Sequence, residues 1–377
     1  MYFDNAATTK LSDTVLPSVL EMLNENYANP SSLHNMGLKA EKAVVESAKI
    51  IGNILGVDKN EIVFTSGGTE ANNIALLGAA FAYKRRGNRI VTVVTEHPSV
   101  INVCKHLEEQ GFDVVYVPVS ETGAVDVTKL LEAVNDETIL VSVMHVNNET
   151  GAIHDIQQIG KKIKQKNPSV KFHVDGIQGF AKIPLTMEYI DLLSLSGHKI
   201  HAMKGVGALY VKKGVNLRQI SFGGGQQKNL RSGTENTAGI VSMALAAKEM
   251  WTNRRENFEH CAALKLEFAR LTEINAYING DMENDSPYIL NMSFVGVKAE
   301  VLLHALTEDN IYVSTGSACH SKNKKNILSH LGISKERVDS AVRFSFSHTN
   351  TLEEVQIAIK KIEDKVLLLR KQTGVKI

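Results

Sequence analysis

The feature that most limits the fold of this 377-residue chain is an alternation of short β-branched runs with helical stretches, from about residue 60 to residue 213. Candidate strands are Glu61–Thr65, Arg89–Glu96, Asp113–Val119, Ile139–Val146, Lys171–Asp175, Leu192–Ser196 and Gly207–Lys212. Several are bounded by Gly, Asn or Asp, as strands are when both faces of a parallel sheet are covered. After the first of them, Ile74, Leu77 and Phe81 fall at i, i+3 and i+7, which marks one buried helix face. The rhythm predicts an α/β domain with helices on both sides of the sheet.

The rhythm stops at the glycine run Gly223–Gly225, which begins an irregular polar stretch to about Glu235. A helix is expected over Thr237–Glu249. Beyond it the chain reads α+β and ends in a charged amphipathic helix, Leu352–Lys371. The expected division is a large domain over 13–250 and a small one over 251–377, with residues 1–12 packed beside the latter. Hydrophobic residues at 43% and charged ones at 22% suit a soluble enzyme whose core needs neither disulfides nor a structural metal. Lys+Arg 42 against Asp+Glu 41 gives no electrostatic footprint for nucleic acid or anionic lipid. The N-terminus lacks the basic start and apolar stretch of a secretory signal, and no window approaches the ~18 apolar residues of a membrane span. Cys104, Cys261 and Cys319 are too scattered for a disulfide framework. A reducing, cytoplasmic setting is expected, where a lone cysteine stays a thiol.

The sharpest local signal is Ser194-Leu195-Ser196-Gly197-His198-Lys199, a lysine just past a strand among small polar residues. Schiff-base chemistry needs such a lysine, partly desolvated so that its amine is nucleophilic; alone, Lys199 reads as a surface lysine. Asp175 ends the strand Lys171–Asp175, where a carboxylate would keep a pyridine nitrogen protonated or simply cap the next helix. Gln178 would reach a ring oxygen, or face solvent. Thr65-Ser66-Gly67-Gly68-Thr69-Glu70 is a strand, a Gly-Gly turn and a helix start, a shape that offers backbone N–H groups to a phosphate. His97 and Asn148 each close a strand, His97 suited to stacking and proton transfer. All of them fall at carboxyl ends of candidate parallel strands, where open α/β sheets bind ligands.

Together with Asp4–Thr9, Met144–Gly151, Arg231-Ser232-Gly233-Thr234 and Gly316-Ser317-Ala318-Cys319, these segments resemble the cysteine desulfurases, the NifS/IscS-like enzymes of the class V aminotransferase family. The resemblance spans essentially the whole chain in the family's order. It implies the pyridoxal 5'-phosphate (PLP) transferase fold of type I, with a mainly parallel seven-stranded sheet and a smaller α+β C-terminal domain. It implies that Lys199 bonds the cofactor, Asp175 pairs with the pyridine nitrogen, and His97 stacks on the ring. Gly68, Thr69, Ser196 and His198 would hold the phosphate, and Asn148 and Gln178 the ring oxygen. Thr234 would reach the phosphate of a neighbouring subunit, which makes the protein a homodimer. Arg343 would clamp the substrate carboxylate, as a guanidinium can in bidentate fashion. The implied reaction takes sulfur from L-cysteine onto Cys319 as a persulfide, leaves alanine, and delivers the sulfur to an acceptor protein, either an iron–sulfur scaffold or a tRNA-thiolation sulfurtransferase.

Cys319 separates this activity from a small-amino-acid aminotransferase, which needs no such cysteine; a selenocysteine lyase on the same fold stays open. No large apolar side chain occurs from Ser314 to Asn326, which favours an exposed loop, and His320, Lys322, Lys324 and Lys325 would favour a thiolate. Cys104 and Cys261, on helix-like stretches, read as structural. Three features depart from the family: His201-Ala202-Met203 replaces an aromatic followed by Gly-Pro, Gln226-Gln227-Lys228-Asn229 replaces the usual residues after the triple glycine, and the Cys319 loop is shorter than in the housekeeping iron–sulfur enzyme, though still long for the family. A histidine metal site at His198 and His201 lacks a carboxylate or cysteine at ligand spacing, so no metal is expected.

Overall fold

The computed structural model describes residues 1–316 and 326–373, the last by its backbone alone. Seven strands form the main sheet: β1 (Ile62–Thr65), β2 (Arg89–Val93), β3 (Asp113–Val117), β4 (Thr138–Met144), β5 (Lys171–Asp175), β6 (Leu192–Ser196) and β7 (Gly207–Val211), in the order β1-β7-β6-β5-β4-β2-β3. All seven expected strands are present, and four of them end one to three residues earlier than expected. β7 runs antiparallel to both neighbours, so β1 to β6 share one direction and their carboxyl ends lie along one edge. Every residue of β4 is buried, which is why Thr-Ile-Leu-Val-Ser-Val-Met carries no solvent-facing alternation.

Helices cover both faces. On one lies α2 (Asn35–Leu55), preceded by the short α1 (Leu16–Asn24). In α2, Ala40, Val44, Ala48 and Ile51 make the buried stripe, and the helix stops at Gly56, whose φ of 72° suits a residue without a Cβ. On the other face lie α3 (Gly68–Tyr83) and α4 (Pro98–Glu109), where Ile74, Leu76, Val100 and Leu107 pack on Ile90, Leu140 and Leu209. The helix expected over Thr237–Glu249 runs Thr237–Thr252, and the final one Leu352–Thr373.

A second sheet is antiparallel, with β8 (Tyr277–Ile278), β9 (Ile289–Ser293), β10 (Ser314–Thr315) and β11 (Ala341–Ser345) in the order β10-β11-β9-β8. Its core includes Phe268, Phe294, Phe344 and Phe346, and Phe3 joins it, edge-on to Phe268 at 5.1 Å. The N-terminal strap then leaves this sheet, where Asp4 bridges Ser345, and ties to the main one: Thr9 N–H donates to His198 O and Ser12 N–H to His201 O, both at 2.9 Å. The first dozen residues therefore cross the space between the two sheets.

Candidate active site

A cavity of about 360 Å³ opens at that crossing, and its wall contains Gly68, Thr69, His97, Asn148, Asp175, Gln178, Ser196, His198, Lys199 and Arg343. Ten residues singled out from sequence thus meet around one space. Thr234 does not: it is exposed on a separate loop, although Arg231 bonds Thr234 O at 3.3 Å and reaches Glu70, in the first turn of α3, at 3.6 Å. Cys319 lies outside the described residues; Ser314 and Ile327, on either side of it in sequence, both line the cavity.

Each lining group is placed by its element. The β1–α3 turn packs so closely that a Cβ on Gly68 would stand 2.1 Å from Ile177 Cδ1, and 3.4 Å from Ser196 Cβ. Only a bare backbone fits there, and the N-terminal N–H groups of the sixteen-residue α3 are the donors an anion needs. Asp175 ends β5 with both oxygens accepting, Oδ1 from Ile177 N at 3.1 Å and Oδ2 from Asn72 Nδ2 at 2.9 Å. His97 caps α4 by accepting the Ser99 N–H on Nδ1 at 3.1 Å, and its ring also lines the cavity. Burial lowers its pKa, opposed by Asp175 and reinforced by Lys199. Burial, then Lys199, takes His198 down to about 4.

Lys199 is half-buried and its Nζ donates to Ala6 O at 2.5 Å and Ala7 O at 2.7 Å. Gln178 Nε2 also bonds Ala6 O, at 2.9 Å. Arg343, 5% exposed, is held by Asn148 O at 2.9 Å and by two carboxylates, Glu149 and Asp4, each at 3.0 Å. Asp4, Ala6, Ala7 and Glu149 are site residues that motif reading gave no role, although Asp4-Asn5-Ala6-Ala7 and the Glu149 segment stood among the quoted motifs. No local rule places an N-terminal strap beside a lysine some 190 residues later. Lys182 lies outside this wall: buried near Lys199 and against the Tyr288 ring at 5.3 Å, its amine drops to about 7 through burial.

The donor set fits PLP. Two buried polar atoms of the wall, Ser196 Oγ and Asn148 Oδ1, have no hydrogen-bond partner among the described residues, a costly state unless a polar ligand meets them. An amine, an accepting carboxylate, an imidazole and a helix N-terminus supply the partners for aldehyde, pyridine nitrogen, ring face and phosphate. Among the described residues no cluster of His, Cys, Asp and Glu is arranged to hold a metal, and no helix is long and apolar enough to cross a membrane. Cys104 and Cys261 are buried, with burial taking both thiols up to about 12, so neither is a nucleophile.

The family model for class-V aminotransferases matches residues 1–357. A cysteine desulfurase IscS of Clostridium botulinum is 39% identical over 381 residues, covering 99% of this chain and 95% of the relative. The IscS of Rickettsia rickettsii is also 39% identical, over 98% of this chain and 92% of its own. Among solved structures, a NifS-like protein superposes with a TM-score of 0.93 at 36% identity, covering 98% of this chain and 99% of that one. Full-length coverage, with the cavity residues in family order, gives one conclusion: the chain belongs to the class-V aminotransferase family and, within it, to the cysteine desulfurases of the NifS/IscS kind.

Proposed function

We propose that the protein converts L-cysteine to L-alanine, taking the sulfur onto Cys319 as a persulfide for delivery to an acceptor protein. The observation that carries this is the meeting of Lys199, Asp175, His97 and Arg343 on one cavity whose wall includes Ser314 and Ile327, the residues flanking the Cys319 segment. Lys199, Gly68, Thr69, Ser196, His198, Asn148 and Gln178 would hold PLP, which would supply a place for the electron pair released at the substrate's α-carbon.

The chain's own groups do the rest. Arg343 takes the substrate carboxylate, joining Asp4 and Glu149 on one guanidinium, and so fixes which bonds face the ring. Asp175, with both oxygens already accepting, stays an acceptor for the pyridine N–H. Lys199 Nζ would move the α-proton, and His97 would handle the second proton. The Cys319 thiolate attacks the substrate sulfur; an S–S bond forms, the C–S bond breaks, and the carbon keeps the electron pair and takes up a proton to leave alanine. We also infer the division into 13–250 and 251–377 with 1–12, since each sheet has its own core.

A homodimer follows from the same reading. Leu20, Leu23, Tyr27 (66% exposed) and Leu33 (95% exposed) leave an apolar face on and after α1, and Phe222 is 82% exposed just before the glycine run that leads to Thr234. Such a face needs a cover, and Thr234 lies outside its own cavity, where it suits a neighbour's. The acceptor is an iron–sulfur scaffold or a tRNA-thiolation sulfurtransferase, and the expected compartment is the cytoplasm.

The test is sulfide and alanine release from L-cysteine with a reductant. Cys319→Ser abolishes sulfide release and keeps the PLP absorbance; sulfide at the normal rate from that variant ends the persulfide assignment. Selenocysteine in place of cysteine tests the lyase alternative.

A further inference from the structure

Behind the cavity a buried chain of hydrogen bonds links Asp175 to His97 through two residues with no assigned part in the reaction. Asn72 is fully buried in α3. Its Nδ2 donates to Asp175 Oδ2 at 2.9 Å and to Ser99 Oγ at 2.8 Å. A carboxylate oxygen can only accept, so the amide nitrogen must face Asp175 and the orientation of Asn72 is settled by chemistry. Ser99, also buried, meets His97 Nδ1 twice: its backbone N–H donates at 3.1 Å and its hydroxyl oxygen lies at 2.8 Å.

These bonds have one consistent polarity. A backbone N–H can only donate, so Nδ1 accepts from it, and this favours the proton of a neutral ring on Nε2. Ser99 Oγ already accepts from Asn72, which leaves its own proton to point at Nδ1. We propose that Asn72 and Ser99 are positioning residues for the desulfuration: they hold His97 as the Nε2–H tautomer and tie its ring to the carboxylate of Asp175. One side-chain amide thereby sets two cofactor-facing groups at once. The carboxylate is kept an acceptor for the pyridine nitrogen, and the ring offers a defined N–H. The assignment rests on the reading of His97 as a proton-handling residue given above. It goes beyond that reading by naming what sets the tautomer.

The test uses full-length holoenzyme labelled with ¹⁵N-histidine, with the His97 signals assigned by their loss in His97→Gln. In the wild type near pH ~7.5, Nδ1 is expected proton-free and Nε2 protonated. Ser99→Ala leaves the backbone donor alone, so the preference for the Nε2–H tautomer weakens about tenfold, the second tautomer becomes detectable, and kcat falls about tenfold, the equivalent of one hydrogen bond. KM for cysteine stays within about twofold, because the substrate clamp is untouched. Ser99→Thr keeps a hydroxyl and restores both kcat and the single tautomer. Asn72→Ala acts in the same direction, and the double variant Asn72→Ala/Ser99→Ala is no worse than the poorer single, as for members of one chain. If Asn72→Ala does not fold, Ser99→Ala and Ser99→Thr carry the test. A wild-type proton on Nδ1, or full kcat with one tautomer in Ser99→Ala, overturns the proposal. Wild-type sulfide release is measured in parallel: its absence defeats the activity, whereas the tautomer is read whether or not the enzyme turns over.

Discussion

Arg343→Ala removes the cation from between two carboxylates that the fold keeps out of water. Arg343 Nη2 lies 3.0 Å from Asp4 and Nη1 3.0 Å from Glu149, with side-chain exposures of 6%, 21% and 13% for the three residues. At an effective dielectric of ~20, each pair contributes a Coulomb term of about 5 kcal/mol, most of it offset by the cost of desolvating the ions. Deleting one partner leaves that cost without its compensation, and the expected net loss is about 3–5 kcal/mol of stability. Urea unfolding of holoenzyme measures it. Burial already raises the Asp4 carboxyl, and Arg343 opposes that shift. Without the arginine the folded pKa rises further above the unfolded one. A raised carboxyl penalises the folded state at high pH, and protonation removes the penalty as pH falls. The deficit is therefore largest above pH ~7 and shrinks toward pH ~4. Asp4→Asn combined with Arg343→Ala should recover part of the loss. A deficit below ~1 kcal/mol that does not change with pH would refute the buried triad. In the same variant kcat/KM for cysteine falls about 100-fold, if the clamp contributes one charge-assisted pair.

Three further outcomes follow from the same geometry. Lys199→Ala loses the absorbance near ~420 nm that a PLP–lysine imine gives, while keeping its unfolding transition; an unchanged band means that another amine holds the cofactor. A Cβ on Gly207 would stand 2.6 Å from Leu195 O and 2.7 Å from Gly67 Cα, so Gly207→Ala pushes the phosphate turn outward. It should cost about 1–3 kcal/mol and weaken PLP binding, and equal cofactor affinity in the variant argues against the turn as cradle. Burial takes His145 and His201 down to about 4 and His173 down to about 3. Depressed histidines stabilise the fold fully above pH ~6.5 and lose that contribution as pH falls toward ~4, at up to about 1.4 kcal/mol per pH unit for each proton taken up. Stability that stays flat across this window shows that these rings are not buried neutral.

Much of the site is legible in one dimension because each strand end carries its own side chain. Once the alternation of β-branched runs and helices identifies a parallel sheet, Thr65, His97, Asn148, Asp175 and Ser196 must fall at or just beyond strand ends that share an edge. Their convergence follows from strand direction alone. The structure alters that picture only by turning β7 antiparallel, since the ten residues between Ser196 and Gly207, which include the Lys199 turn, leave no length for a crossover helix and return.

What no local pattern could supply is every contact made across long separations. Ala6 and Ala7 accept from Lys199, Asp4 pairs with Arg343, and Gln227 Oε1 accepts the edge N–H of Phe64 at 2.6 Å, although Gln226–Asn229 had been notable only for departing from the family. In another departure, His201 takes the place of an aromatic and meets the His348 ring edge-on, with centroids 4.7 Å apart. Periodicity and turn chemistry act over a few residues, so composition and spacing pointed to the sheet and the phosphate turn, while the roles of the reactive side chains came from the resemblance to a known family. The partners of those side chains depend on how two sheets and an N-terminal strap close on one another. Hydrophobic burial drives that closure, and burial specifies which faces meet without recording in the sequence which polar atoms end up within 3 Å.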